Sequence, residues 1–174
     1  LETRIVPFGA SADHPSLAAG EEGELLARGP TAMSGYLGLP EKTAEALEGG
    51  WYHSGDAAVT DPDGFITVLG RIDHTIKSGG ENVHPSEVEN ILFDHPDVAD
   101  AAVVGLSDRH WGQVVAAAIV CRDGDLTEAV LDSYCKESQT LANFKRPRRY
   151  VFVDTIPASP TGKVDKERVQ QLFD

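Results

Sequence analysis

The sequence predicts an α+β protein in two parts, a small β-rich subdomain followed by a small mixed-sheet domain with helices. Up to about residue 70, short β-branched segments alternate with turn signals. After residue 72, strand-like and helix-like segments alternate along the chain. The 174 residues are 41% apolar and 25% charged, which is ordinary for a soluble globular protein. We therefore expect one unit at residues 1–72 and a second at residues 73–174.

The first part is predicted to contain short strands and one helix. The helix begins at Pro40, and proline suits the first helical turn. The last two strands flank Asp61-Pro62-Asp63-Gly64, a sequence typical of a tight turn. These elements predict a small β-barrel or a meander that ends near Gly70. The predicted strands are residues 3–8, 23–29, 57–60 and 65–69, and the helix is residues 40–47.

The second part is predicted to alternate strands and helices. Val88, Ile91 and Leu92 share one face of a helix that begins at Pro85. Asp125 and Glu128 are predicted to form a capping box for a helix that reaches about Lys136. The predicted strands are residues 75–77, 98–106, 114–120 and 149–153, and a last helix is residues 166–173.

The net charge of −13 argues against nucleic acid as a partner, because phosphates demand a basic surface. One basic cluster contrasts with this charge, and such a cluster often binds a small anion. It consists of Lys145, Arg146, Arg148 and Arg149.

The cysteines and histidines predict no metal site and no disulfide framework. Cys121 and Cys135 are the only cysteines, and the six histidines are scattered. Two reduced, partly buried thiols in a cytoplasmic protein are the favoured interpretation. The sequence has no run of apolar residues long enough to cross a bilayer and no secretion signal. It makes no prediction of the oligomeric state.

Four segments carry the functional argument: residues 51–56, 70–73, 76–82 and 160–164. Each alone has a structural explanation, such as a turn, a surface ion pair or a flexible glycine loop. Their order together resembles the C-terminal motifs of the adenylate-forming superfamily, which includes acyl-CoA synthetases, peptide-synthetase adenylation domains and luciferases. The resemblance extends over nearly the whole chain, beginning at Gly23-Glu24-Leu25.

The resemblance implies a reaction in which a carboxylic acid attacks ATP to give an acyl-adenylate, which then passes to a thiol. Asp56 matches the aspartate that accepts hydrogen bonds from both ribose hydroxyls of the nucleotide. Arg71 matches the arginine that contacts the same nucleotide near its ribose and phosphate. Asp73 matches the hinge of the mobile C-terminal domain, and Lys163 the catalytic lysine of adenylation. Gly79-Gly80 matches the loop that lines the pantetheine tunnel.

Coenzyme A is the expected thiol. Its adenine can stack on Trp111 or Phe144, and its phosphates suit Arg146 and Arg148. In the alternative interpretation the two aromatic rings pack in the core and the cations are solvated. We therefore expect substitution of Arg146 or Trp111 to raise the Michaelis constant for coenzyme A.

The loop Ser78-Gly79-Gly80-Glu81-Asn82 resembles fatty-acyl and aryl-CoA ligases, and the segments at residues 108–113 and 144–150 resemble chlorobenzoate-type ligases. The superfamily's Ser/Thr/Gly-rich phosphate-binding loop has no match in the 174 residues. We therefore expect the C-terminal part of a longer enzyme, inactive alone, with Mg²⁺ bound mainly by the N-terminal domain. A non-catalytic binding module and an adenylation module serving a carrier protein are the alternatives. The identity of the acid is not predicted.

Overall fold

The structure, a computed structural model, describes residues 1–122 and 126–174. The chain divides into two compact units, Leu1–Asp73 and His74–Asp174. The sequence prediction placed the division one residue earlier, after residue 72. Each unit has its own sheet and is described separately below.

The first unit is an antiparallel meander. Its four strands pair in chain order, β1-β2-β3-β4, so the described strands form the meander and not the closed barrel. The core beneath the sheet contains Val6, Leu26 and Trp51, and the guanidinium groups of Arg4 and Arg28 stack on the Trp51 ring at 4.1 and 4.4 Å. The strands are β1 (Glu2–Val6), β2 (Glu22–Arg28), β3 (Tyr52–Thr60) and β4 (Ile66–Arg71), and helix α1 is Pro40–Ala46.

The second unit is built on a five-stranded mixed sheet. The strands run in the order β6-β5-β8-β7, and β9 pairs in parallel with β8, so the predicted mixed sheet is confirmed. The strands are β5 (Ile76–Ser78), β6 (Glu81–Val83), β7 (Val98–Asp108), β8 (Gly112–Cys121) and β9 (Arg149–Phe152). The helices are α2 (Pro85–Phe93), α3 (Glu128–Glu137) and α4 (Lys166–Gln171).

Both faces of this sheet are covered, which explains why the central residues of β7 and β8, 101–106 and 114–120, include no charged or polar side chain. Alternate residues of β7 point to opposite faces, so Val103 joins one core and Val104 the other. Helices α2 and α3 contribute Leu92 and Leu131 to the first core. Helix α4 contributes Val169 to the second core, which lies on the opposite face.

The predicted α+β fold class is confirmed, and the differences are local. Strand β3 begins at Tyr52, five residues before the predicted start, and the short strand β6 was not predicted. Asp125, predicted as a cap, lies outside the described residues. The N-cap of α3 is Thr127, whose side chain accepts a hydrogen bond from the Val130 amide. Among the described helices, none has the length and apolarity needed to cross a membrane.

Candidate functional site

Asp56 and Arg71 lie directly opposite each other on β3 and β4 of the first unit. Arg71 Nη1 lies 3.7 Å from Asp56 Oδ1 and donates to the Ser54 carbonyl at 2.7 Å. Its Nε donates to Asp73 Oδ1 at 3.3 Å, and this bond raises the pKa of Arg71 further. One third of the Asp56 side chain is exposed, so its carboxylate remains accessible beside a fixed positive charge.

A buried carboxylate supports this pair, and sequence reasoning assigned it no role. Glu24 is 8% exposed, accepts from the Gly55 amide at 3.1 Å, and lies 3.2 Å from His53 Nδ1. Gly55 has φ +68°, and a Cβ there would lie 2.8 Å from Arg71 Nη2. Glycine therefore lets the Arg71 guanidinium cross β3 beside Asp56. The Gly23-Glu24-Leu25 motif was the available signal.

Gly79 and Gly80 form the turn between β5 and β6 of the second unit. Both have positive φ, at +62° and +89°, which a two-residue hairpin turn requires. The Gly79 amide donates to the Trp111 carbonyl at 2.9 Å, and a Cβ on Gly79 would lie 2.9 Å from the Trp111 ring. A Cβ on Gly80 would meet nothing within 4 Å. Only Gly79 is therefore in tight contact with the tryptophan.

An open groove of about 580 Å³ lies beside this turn. Trp111 and Phe144 remain 53% and 44% exposed, so their rings are not core residues. Asp108 accepts from the amides of His110 and Trp111, both at 2.8 Å, and these two bonds lower the pKa of its carboxyl. The groove is lined by Ser78, Gly79, Glu81, Asp108, Trp111, Val114, Phe144 and Arg148.

The four cations of the basic cluster differ in their contacts. Lys145 Nζ binds both oxygens of Glu87, at 2.9 and 2.7 Å. Arg146 forms a short ion pair with Asp132, donates to Asn143 Oδ1 at 2.7 Å, and is 13% exposed. Arg149 donates to the Phe173 carbonyl at 2.6 Å. Arg148 and Arg149 are both exposed, but of the four cations Arg148 alone lines the groove. Arg148 forms no ion pair with a carboxylate in the described part of the chain, although its charge helps to lower the pKa of Asp132.

Lys163 lies at the end of a tight turn. The Gly162 amide donates to the Ser159 carbonyl at 2.9 Å, and the Ser159 amide donates to the Lys163 carbonyl at 2.7 Å. Ala158 and Val164 pair across the base of this loop. The Lys163 side chain is exposed and does not line the Trp111 groove.

Of the ten predicted site residues, four meet in this groove: Gly79, Trp111, Phe144 and Arg148. Gly80 lies in the same turn, whereas Arg146 is bonded to α3 through Asp132. Asp56, Arg71 and Asp73 form a separate group in the first unit. Within residues 1–122 and 126–174, no group of three or more His, Cys, Asp or Glu residues is arranged to hold a metal ion.

The comparisons agree with the predicted fold class and with the resemblance to the C-terminal part of adenylate-forming enzymes. A family model described as the AMP-binding enzyme C-terminal domain matches residues 87–163. The matched residues begin inside α2, at Glu87, and end at Lys163, so the family model covers a little less than half of the chain.

Curated relatives and solved structures match over a longer range. The chain is 44% identical over 172 residues to a 4-chlorobenzoate–CoA ligase of Arthrobacter sp., covering 97% of this chain and 33% of that one. It is 42% identical over 157 residues to a fatty acid–[acyl-carrier-protein] ligase of Streptomyces coeruleorubidus, covering 90% and 30%. The o-succinylbenzoate CoA synthetase of Bacillus subtilis, solved with its acyl-adenylate intermediate, matches with a TM-score of 0.88, 33% identity, and coverage of 97% and 33%. The chain thus spans about a third of the length of these relatives.

Proposed function

We propose that this chain is the C-terminal part of an ATP-dependent, AMP-forming acid–CoA ligase. The observation that carries the proposal is the groove in which Trp111, Phe144 and Arg148 meet the Gly79 turn. Two exposed aromatic faces, one unpaired guanidinium and a glycine turn suit a ligand with a flat base, a phosphate and a narrow thiol arm. Coenzyme A combines all three.

In the first half-reaction, a carboxylate oxygen of the acid attacks the α-phosphorus of ATP and pyrophosphate leaves. We assign Asp56 to the ribose hydroxyls, because an ionised carboxylate accepts two hydrogen bonds. Arg71 then supplies a positive charge beside the ribose and phosphate. The exposed Lys163 ammonium stabilises the negative charge that develops around the α-phosphate. Magnesium and the β- and γ-phosphates belong, in this proposal, mainly to the larger part of the enzyme.

In the second half-reaction, the thiol attacks the acyl carbonyl and AMP leaves with the bonding electrons. The Gly79-Gly80 turn borders the path of the pantetheine arm, and Arg148 binds a phosphate of coenzyme A. Asp108 lines the same groove, but its Oδ1 already accepts two backbone amides. We propose that Asp73, the last residue of the first unit, is the hinge for the change between half-reactions.

A carrier protein is the second candidate for the thiol partner. One relative, 42% identical, is named as a ligase for an acyl-carrier protein. A carrier presents a pantetheine arm without the adenine and 3′-phosphate of coenzyme A. The two candidates are separated by comparing free coenzyme A with a carrier protein as acceptors, because only the first should depend on Trp111 and Arg148.

The experiment that tests the proposed function separates the half-reactions in the intact ligase. Lys163→Ala should slow acyl-adenylate formation about 100-fold or more, as loss of a preorganised charge-stabilising group does. It should leave thioester formation from supplied acyl-adenylate nearly unchanged. Gly80→Leu should do the reverse, because it adds bulk at the thiol path and none near ATP. Equal slowing of both half-reactions by Lys163→Ala would contradict the assignment.

A further inference from the structure

Strand β7 lies at the edge of the sheet in the second unit, and two charged side chains form hydrogen bonds with its outer backbone groups. Among the described strands β7 pairs with β8 alone, so one side of its backbone lacks a strand partner. Glu89 Oε1 accepts from the Val103 amide at 2.8 Å, and Lys166 Nζ donates to the Val103 carbonyl at 3.0 Å. Lys166 Nζ also lies 2.7 Å from Glu89 Oε1. Glu89, Val103 and Lys166 therefore form a closed triangle of hydrogen bonds.

This triangle joins three elements, because Glu89 lies on α2, Val103 on β7 and Lys166 on α4. Helix α4 has six residues, too few to be stable without tertiary contacts. Gln170, one turn after Lys166, donates to the Gly105 carbonyl at 2.9 Å. Val169 is the only buried residue inside α4. The polar bonds of Lys166 therefore fix the first residue of the helix to the sheet.

Lys163 lies three residues before this fixed point. The Asp165 amide donates to the Pro157 carbonyl at 2.9 Å, and the Asp165 side chain caps α4 through the Arg168 amide at 3.1 Å. The turn that carries Lys163 therefore leads directly into the N-terminus of α4. Backbone pairing of Ala158 with Val164, and the hydrogen bond from Asp165 to Pro157, close the base of this turn. The Lys163 side chain is exposed and has no hydrogen-bond or ion-pair partner among the described residues. Its position depends on the backbone that follows it.

We infer that Lys166, held by Glu89, is a positioning residue for Lys163 in the adenylation half-reaction. Lys166 is about four-fifths buried and its charge is paired with Glu89, so it acts through the loop and not on the substrate. A displacement of about 1 Å at a catalytic group can reduce a rate about 100-fold. This inference rests on the proposed role of Lys163.

The test compares Lys166→Met with Lys163→Ala in the intact ligase. Lys166→Met keeps the length and apolar stem of the side chain and removes its three donors. We expect at least a tenfold loss in the rate of acyl-adenylate formation, with less than a twofold change in thioester formation from supplied acyl-adenylate. Both half-reactions depend on the second unit, so a merely unfolded unit would lose both. Lys166→Arg should recover most of the adenylation rate.

Two further variants make the result decisive. Arg168→Met removes an exposed cation from the same helix and should leave both rates within twofold of wild type. Glu89→Gln removes the charge that pairs with Lys166 and should reproduce the selective loss in weaker form. A Lys166→Met adenylation rate within twofold of wild type, or an equal loss in both half-reactions, would overturn the inference. If Lys163→Ala itself leaves adenylation unchanged, the proposed function fails instead.

Discussion

Arg148 and Arg146 are two positions apart, yet the structure gives their guanidinium groups different surroundings. Arg148 is exposed and lines the groove beside Trp111, whereas Arg146 is bonded to Asp132 and Asn143. A guanidinium already paired with a carboxylate must break that pair before it can bind a phosphate. Of the four cations that cluster in the sequence, therefore, only Arg148 is placed to bind an anion in the groove.

We expect Arg148→Ala to raise the apparent KM for coenzyme A about tenfold, since a hydrogen bond between charged groups contributes about 1.5–3 kcal/mol. The KM for ATP should stay within twofold. Arg146→Ala, the matched control, should change the KM for coenzyme A less and lower Tm by several degrees through loss of its ion pair. Steady-state kinetics with each substrate varied, and thermal unfolding, would check both. A larger KM effect at Arg146 would place the phosphate site there.

At the scale of elements, helix α3 is tied to the segment before β9 through Asp132. This carboxylate accepts from Lys136 at 2.6 Å, one turn along α3, and pairs with Arg146 from outside the helix. The hydrogen bond from Lys136, with attraction to Arg146, lowers the pKa of the Asp132 carboxyl. Because its folded-state pKa is below the unfolded value, ionised Asp132 stabilises the fold above the unfolded pKa. That contribution is lost as the pH falls through the folded pKa.

Asp132→Asn should therefore lower Tm at pH 7, by about 2–4 °C for a loss of about 1 kcal/mol. The difference from wild type should shrink as the pH falls below the ordinary carboxyl range, roughly pH 4. Thermal unfolding of both proteins between neutral and acidic pH measures this. Exposed Glu137→Gln, on the same helix, is a suitable control. A Tm difference that stays constant down to the most acidic pH would contradict the assignment.

The elements were predictable where the pattern in the sequence is local. Proline at the start of α1 and α2, and the turn before β4, marked their elements correctly. Strand β6 has three residues, too short for periodicity to show. The early start of β3 depends on pairing with β2, a non-local contact.

The site was predictable only as a list of residues. The motifs supplied the residue types, and the structure brings Gly79, Trp111, Phe144 and Arg148 into one groove. The pairing of Arg146 with Asp132 and of Lys166 with Glu89 joins residues 14 and 77 positions apart, which no local pattern in one sequence reveals. The same reason hid the contact between Glu24 and Gly55, 31 positions apart. The roles of all these residues remain predictions.

At the scale of the whole molecule, the chain spans about a third of its relatives, and its two units carry different predicted functions. The first unit holds the residues assigned to the nucleotide ribose, Asp56 and Arg71. The second holds those assigned to catalysis and to the thiol. In this proposal the acid pocket and the ATP phosphates belong to the larger part of the enzyme.

We therefore expect the 174-residue chain alone to form no acyl-adenylate. Asp56, Arg71 and Lys163 can stabilise charge, but they cannot replace a loop that holds the ATP phosphates and orients them for attack. The measurement is ATP–pyrophosphate exchange with the purified chain and a panel of alkyl and aryl acids. The intact ligase serves as the positive control. Exchange above background by the chain alone would refute the expectation.

The hydrogen bonds that α4 and Glu89 make to β7 have a consequence for the behaviour of the protein in concentrated solution. An uncovered strand edge is a template on which a second molecule can add a strand, and apolar strands such as β7 aggregate in this way. Lys166 and Gln170 occupy the Val103 and Gly105 carbonyls, and Glu89 occupies the Val103 amide. Three polar side chains thus block alternate positions along the edge. Detachment of the short helix α4 would expose this edge, so resistance to aggregation depends on the same contacts that fix the start of α4.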